Sequence, residues 1–302
     1  MYDIIIIGAG PAGLTSAIYG KRAAKKVLVL EAKSYGGQII NPPKIENYPV
    51  APNISGFEFA TNLYNQVTDL GVEISFEKVE KINNNDEYKE VITNKNTYKT
   101  KTVIIATGSS NRKLGLPNED ELIGKGISYC ATCDGAFYKD KDVAVVGGGN
   151  TAIEDAIYLS NVASKVYLIH RRDEFRAEEG LVNELKEKNN IEYVYNSEVT
   201  NINYDEKITS IDVTNKDGST RNISIEGLFV AIGRTPENNL FKDLVDLDEY
   251  GYIISDEKCH TSVSGIYTAG DNRKKDVRQL VTATSDGAIA ATEAIKYINS
   301  NK

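Results

Sequence analysis

The chain opens on Tyr2-Asp3-Ile4-Ile5-Ile6-Ile7, a run apolar on both faces and rich in β-branched side chains, the pattern of a strand inside a parallel sheet. It stops at Gly8. From Pro11 the apolar positions Ala12, Leu14, Ala17 and Ile18 fall at helical spacing, and Val27-Leu28-Val29-Leu30 supplies a second buried strand. Strand, glycine turn, helix and strand make a βαβ unit. The same order returns as Val143-Ala144-Val145-Val146, then Gly147-Gly148-Gly149, a helix over residues 151–159 and the strand Lys165-Val166-Tyr167-Leu168-Ile169. Gly8 and Glu31 are 23 positions apart, and so are Gly147 and His170. The two units match in length as well as order, which implies two dinucleotide sites.

Between the units, residues 80–101 alternate at Val91, Thr93 and Tyr98 and predict a β-meander that ends in the apolar strand Thr102-Val103-Ile104-Ile105. Residues 191–225 have the same β-rich texture, punctuated by Asn and Asp, and end in Leu228-Phe229-Val230-Ala231-Ile232-Gly233. After about Asp243 come one more strand, Gly265-Ile266-Tyr267-Thr268-Ala269, the pair Gly270-Asp271 and a last helix ending near Ile298. That tail is expected to return to the first domain. The fold class is therefore α/β, with two Rossmann-like dinucleotide-binding domains, each carrying a β-meander.

Composition narrows the function. At 302 residues the chain has room for two domains with independent cores. A net charge of -8 would repel a phosphate backbone, so nucleic acid is not an expected partner. No apolar stretch approaches the ~20 residues needed to span a bilayer, and Met1-Tyr2-Asp3 lacks the basic lead of a signal peptide. A cytoplasmic, membrane-free location is expected. Three cysteines cannot build a disulfide framework, so Cys130-Ala131-Thr132-Cys133 points instead to redox or metal chemistry.

Gly8-x-Gly10-x-x-Gly13 directly after an apolar strand is the full dinucleotide fingerprint: the glycines allow a tight turn, close approach of a pyrophosphate and close helix packing. Glu31 ends the next strand, where a carboxylate accepts hydrogen bonds from an adenosine ribose. The fingerprint alone fits NAD or FAD. Gly36-Gly37-Gln38, Asn47, Ala106-Thr107-Gly108 and Gly270-Asp271 resemble, in this order, the flavin-contacting stretches of two-dinucleotide flavoproteins, in which the late Asp holds the ribityl chain. The competing reading is generic turn glycines. The set as a whole favours FAD.

Gly147-x-Gly149-x-x-Ala152 is the GxGxxA form of the turn, suited to a nicotinamide dinucleotide. At the position of Glu31 this unit has His170, followed by Arg171, Arg172 and Arg176. Guanidinium groups bind a 2′-phosphate where a carboxylate would repel it, so NADPH is the expected coenzyme. The alternative is a solvated charge run in which Asp173, Glu174, Glu178 and Glu179 pair with the arginines.

The dithiol Cys130-x-x-Cys133 has the spacing of a small, reducible ring, and Asp134 directly after it reads equally as a proton donor and acceptor or as a helix cap. The rival is zinc, with Cys259 and His260 completing a Cys3His set, although adjacent ligands lack the usual spacing and no second CxxC exists. No metal is expected.

Taken in order, Gly8-Ala9-Gly10-Pro11-Ala12-Gly13, Ile45-Glu46-Asn47-Tyr48-Pro49, Cys130 to Gly135, Gly147 to Ala152, His170 to Arg176, and Gly270-Asp271 with Arg278-Gln279 resemble the bacterial low-molecular-weight thioredoxin reductases over nearly the whole chain. The resemblance implies a two-dinucleotide flavoprotein fold and a homodimer. FAD would lie in a domain of residues 1–113 and 242–302, and NADPH in an inserted domain of 114–241 that carries the dithiol. It implies catalytic roles for Cys130, Cys133 and Asp134, a thioredoxin or thioredoxin-like partner, and a swivel between two arrangements that serve the two electron transfers. Arg278 and Gln279 join the flavin set, at the start of the last helix. Asn53 and Ile54 follow Val50-Ala51-Pro52 where the family has a glycine after Tyr-Pro, a departure expected to alter a loop. The runner-up is an NADPH-dependent flavoprotein reductase of another acceptor, as in ferredoxin-NADP reductases, whose relatives lack the CxxC. A third class is a protein that binds FAD without turnover.

Overall fold

The computed structural model describes the chain apart from residues 43, 52, 53, 86 and 302. Of the loop departure expected at Asn53 and Ile54, Asn53 lies outside the described residues; Ile54 forms an antiparallel bridge with Ile45. Two compact units emerge: Met1–Ser110 with Thr235–Lys302, and Asn111–Arg234 inserted between these segments. The crossovers fall after residues 110 and 234, where the family resemblance implies boundaries at about 113 and 241. The strands that mark them are only three residues long, too short to print a periodicity.

The first unit starts with β1 (Tyr2–Ile7), α1 (Pro11–Arg22) and β2 (Val27–Glu31). After α2 (Gly56–Asp69) come β3 (Glu73–Phe76), β4 (Val79–Asn84), β5 (Lys89–Thr93), β6 (Thr97–Ile105) and the short β7 (Ser109–Asn111). The expected meander and apolar strand are joined in β6: its first residues pair antiparallel with β5, and residues 100–105 pair parallel with β1. One nine-residue strand thus belongs to both layers.

The inserted unit contains β8 (Ile127–Ser128), α3 (Ala131–Asp134), β9 (Asp142–Val146), α4 (Asn150–Ser160), β10 (Lys165–Ile169), α5 (Glu179–Lys186) and β11 (Ile191–Val194). A meander of β12 (Ser197–Tyr204), β13 (Ile208–Asn215) and β14 (Thr220–Ser224) precedes β15 (Gly227–Val230). The sheet order is β11-β10-β9-β15-β8, parallel throughout. The chain then re-enters the first unit through β16 (Arg234–Pro236), β17 (Ile266–Thr268) and α6 (Leu280–Ser300). β17 pairs parallel with β6, completing the row β3-β2-β1-β6-β17.

Alternation along β1 explains why both faces of its sheet are covered. Ile4 and Ile6 face α1 and α6 with Leu14, Ala17, Ala290 and Ala294, while Ile5 and Ile7 pack with Val91, Val103 and Ile266. Each of these isoleucines is almost fully buried and contributes about 1.5–3 kcal/mol. Helices α1 and α6 meet at Gly287, where a Cβ would lie 2.2 Å from the Ala12 carbonyl oxygen, and Ser16 Oγ donates to the carbonyls of Ala12 and Gly287. No described helix is long and apolar enough to cross a membrane.

Candidate active site

The two glycine turns are the same construction made twice. Gly8 N donates to Leu30 O at 2.8 Å and Gly147 N donates to Ile169 O at 3.0 Å. Ala106 N donates to Ile7 O and Ala231 N to Val146 O, both at 2.8 Å. The next residues after Leu30 and Ile169 are Glu31 and His170, so these two occupy equivalent places in their units.

Within each turn the glycines divide by role. At Gly8, with φ +109°, a Cβ would sit 2.3 Å from Ala106 O, and at Gly13 it would sit 1.9 Å from Gly8 O. Packing demands glycine at both. The middle residue, Gly10, has nothing within 4 Å of where its Cβ would be, and Gly149 in the second turn is equally open. The protein itself does not need glycine there; a pyrophosphate lying against the helix N-terminus does. The residues present thus fit a dinucleotide in each unit.

Around the first turn the flavin-type stretches gather. Gly36 N donates to Ala9 O at 2.8 Å, and Gly37 lies against Gly10. Glu31 accepts from Ala9 N and Lys33 N, each at 2.8 Å, which fixes the carboxylate beside the turn. Gly108 faces open space, while Gly270 packs on Ala12, where its Cβ would come within 2.9 Å. Asn47 Nδ2 donates to Gln279 Oε1 at 3.1 Å, and Gln279 forms a capping box with Thr282 at the start of α6. Arg278 stacks on Tyr252 at 4.1 Å. Beside Asp271, Lys275 Nζ stands 3.8 Å away.

In the inserted unit the arginine segment is tied to the glycine turn. Arg176 N donates to Gly148 O at 2.7 Å, and Glu178 and Asn150 exchange two hydrogen bonds of 2.9 Å. Among the described residues no ion pair joins Arg171, Arg172 or Arg176 to a carboxylate. His170 is buried against Gly148, its Nε2 3.1 Å from Glu174 O. Burial, and then the charges of Arg172, Arg171 and Arg176, hold its pKa below the ordinary imidazole value.

Cys130 and Cys133 are joined as a disulfide with Cα atoms 5.3 Å apart, Cys130 in the N-cap position of the single-turn α3. Asp134 makes no side-chain capping bond, so the cap reading is corrected; its Oδ2 accepts from Ser128 Oγ at 2.6 Å. Ser128 Oγ also accepts from Cys130 N at 3.1 Å. One buried hydroxyl therefore ties the first cysteine to the carboxylate. Nothing in the sequence marks Ser128, which sits in a two-residue strand. Burial, and then Asp134, pushes Tyr138 up to about 12. Cys259 and His260 belong to the first unit: burial raises the Cys259 thiol to about 12, and His260 pairs with Asp256 at 2.9 Å.

The family model of pyridine nucleotide-disulphide oxidoreductases matches residues 2–287. The chain belongs to the pyridine nucleotide-disulphide oxidoreductase family. Within reach of it are the thioredoxin reductase of Listeria innocua, 41% identical with 100% of this chain and 95% of the relative covered, and that of Treponema pallidum, 41% identical with 99% and 97% covered. The crystal structure of thioredoxin reductase from Streptococcus pyogenes is similar with a TM-score of 0.95 at 42% identity, over 99% of both chains. Family membership accounts for the paired turns and the disulfide together, and the α/β fold with two Rossmann-like domains is the one read from the hydrophobic pattern.

Proposed function

We propose that the chain is a thioredoxin-disulfide reductase that uses NADPH and FAD, acts as a cytoplasmic homodimer and has thioredoxin or a thioredoxin-like protein as its partner. The observation that carries this reading is the Cys130–Cys133 disulfide in the same unit as an arginine-flanked dinucleotide turn. Bound FAD supplies the carrier that takes hydride from the nicotinamide and passes an electron pair to that disulfide.

The first unit holds the flavin nucleotide. Gly10 lets the pyrophosphate approach the start of α1, and Glu31, whose oxygens keep lone pairs beyond the bonds from Ala9 and Lys33, accepts from the adenosine ribose. Asp271 takes the ribityl hydroxyls. Gly149 and the start of α4 take the NADPH pyrophosphate, and Arg171, Arg172 and Arg176 take its 2′-phosphate.

Once the dithiol is reduced, one of its sulfurs ionises and attacks a sulfur of the partner's disulfide. A new S–S bond forms as the partner's S–S bond breaks, and the leaving sulfur takes up a proton. The second cysteine then attacks the mixed disulfide, re-forming Cys130–Cys133 and releasing the second partner thiol. Asp134 holds and delivers the proton, and Ser128 keeps that carboxylate beside the first cysteine. The test is NADPH consumption by the flavin-loaded protein when oxidised thioredoxin is added. A protein that passes electrons to a dye and none to thioredoxin would end this reading.

A further inference from the structure

Asp286, in the second turn of α6, is a buried carboxylate outside both glycine turns and the dithiol, with 6% of its surface exposed. Three donors converge on it. Gly270 N reaches Oδ2 at 3.0 Å, Arg273 Nη1 reaches Oδ1 at 3.0 Å and Lys275 Nζ reaches Oδ2 at 2.9 Å. Arg273 is itself buried and carries the network outward, from Nε to Ser255 Oγ at 2.7 Å and from Nη2 to Asp256 O at 2.8 Å. Lys275 continues to Thr282 Oγ1 at 3.3 Å and stands 3.8 Å from Asp271.

A buried cation with no counter-charge is costly, and without Asp286 the Arg273 guanidinium would have no carboxylate partner among the described residues and Lys275 only Asp271, at 3.8 Å. The network therefore fixes two things at once: the backbone of the Gly270-Asp271 turn, through the Gly270 N–H, and a cation beside Asp271. We infer that Asp286 is a positioning residue for the flavin, setting the Gly270-Asp271 turn and the charge of Lys275 against the ribityl side of the cofactor. This inference rests on the reading that FAD occupies the first unit.

Replacing every member of a buried ion cluster by apolar side chains of similar size is often neutral for stability, whereas removing one is not. That difference gives the test. Flavin is stripped from the wild type, Asp286→Asn and the triple variant Asp286→Leu/Arg273→Met/Lys275→Met, and thermal stability, FAD affinity and NADP+ affinity are measured for each. In the single variant both stability and FAD affinity fall. In the triple variant the melting temperature returns to near that of the wild-type apoprotein, while FAD binds at least tenfold more weakly and NADP+ binds as before. The midpoint potential of the flavin bound to the triple variant falls, because one anion and two cations have gone and the net positive charge near Asp271 is lower. If the single variant does not fold, the triple variant carries the comparison. FAD affinity and potential at wild-type values in a well-folded triple variant would overturn the inference alone, whereas wild-type apoprotein that takes up no FAD would overturn the reading beneath it.

Discussion

Arg176 is held to the coenzyme turn by its own backbone: its N–H donates to Gly148 O at 2.7 Å, between the two glycines of Gly147-x-Gly149. The guanidinium is thereby carried on a loop whose distance from the pyrophosphate site is fixed, and no carboxylate competes for it among the described residues. A lost hydrogen bond to a charged group costs about 1.5–3 kcal/mol, so Arg176→Ala should raise the Michaelis constant for NADPH roughly tenfold or more. The constant for NADH should barely move. Steady-state rates with both coenzymes decide this, and equal efficiency with the two in the unmutated enzyme would remove the basis for assigning NADPH to the arginines.

The open glycines give a cleaner separation of folding from binding. Gly10 and Gly149 have free space where a Cβ would stand, whereas Gly8 and Gly13 have a backbone oxygen there. Gly10→Ala should therefore leave the apoprotein's melting temperature within a degree or two of wild type while weakening FAD uptake. Gly13→Ala should lower the melting temperature itself. Gly149→Ala should weaken NADPH binding with flavin content unchanged. Calorimetry of the stripped proteins tests the set; a Gly10→Ala apoprotein as destabilised as Gly13→Ala would mean that the middle glycine is there for packing.

Most of this was legible in the sequence because it rests on spacing. The equal separations of Gly8 from Glu31 and Gly147 from His170 are the hydrogen-bonded register of two βαβ units seen from outside. The elements without a turn motif were harder to read. Helices α2, with Ala60, Leu63, Tyr64 and Val67, and α5, with Leu181, Val182 and Leu185, carry apolar residues at helical spacing but no turn motif to mark their ends, while β8 is too short to show a period. The joining of the meander to the central strand in β6 is a tertiary fact, since an alternating half and an apolar half read as two elements. Ser128 and Asp286 escape for a different reason. Each gains its role from partners that the fold brings to it, and a serine in a strand or an aspartate in a helix carries no periodic signature.

Glu77 supplies a pH dependence unrelated to catalysis. Burial pushes this carboxyl up, but Thr93, Ser75, Tyr98 and Asn96 all donate to it and together hold it at about 2. A carboxylate depressed in the folded state stabilises the fold fully above its unfolded value, near 4.5, and loses that contribution as pH falls towards 2. Glu77→Gln should therefore be less stable than wild type at pH 7, by about 1–2 kcal/mol after screening, with the gap narrowing below about pH 4.5. Urea unfolding at pH 7 and pH 3.5, with FAD saturating in both, measures the gap. A difference that does not change with pH would show that the network acts through packing and not through the charge.

Replacing Cys130 or Cys133 by Ser removes the exchangeable disulfide but touches neither glycine turn, so NADPH should still bleach the flavin and artificial dyes should still be reduced. Thioredoxin reduction should vanish in both variants. Ser128→Ala asks a finer question, because both cysteines remain and only the hydroxyl between Cys130 N and Asp134 is lost. If Asp134 supplies the proton, its carboxylate must be held in place, and the variant should reduce dye at the wild-type rate but thioredoxin at least tenfold more slowly, with the pH profile of the thioredoxin reaction displaced. A hydroxyl that served only to finish the strand would lower the melting temperature and leave that profile where it was. Disulfide reductase activity surviving in both single-cysteine variants would be more serious, since the electrons would then reach thioredoxin by a route that does not pass through Cys130 and Cys133.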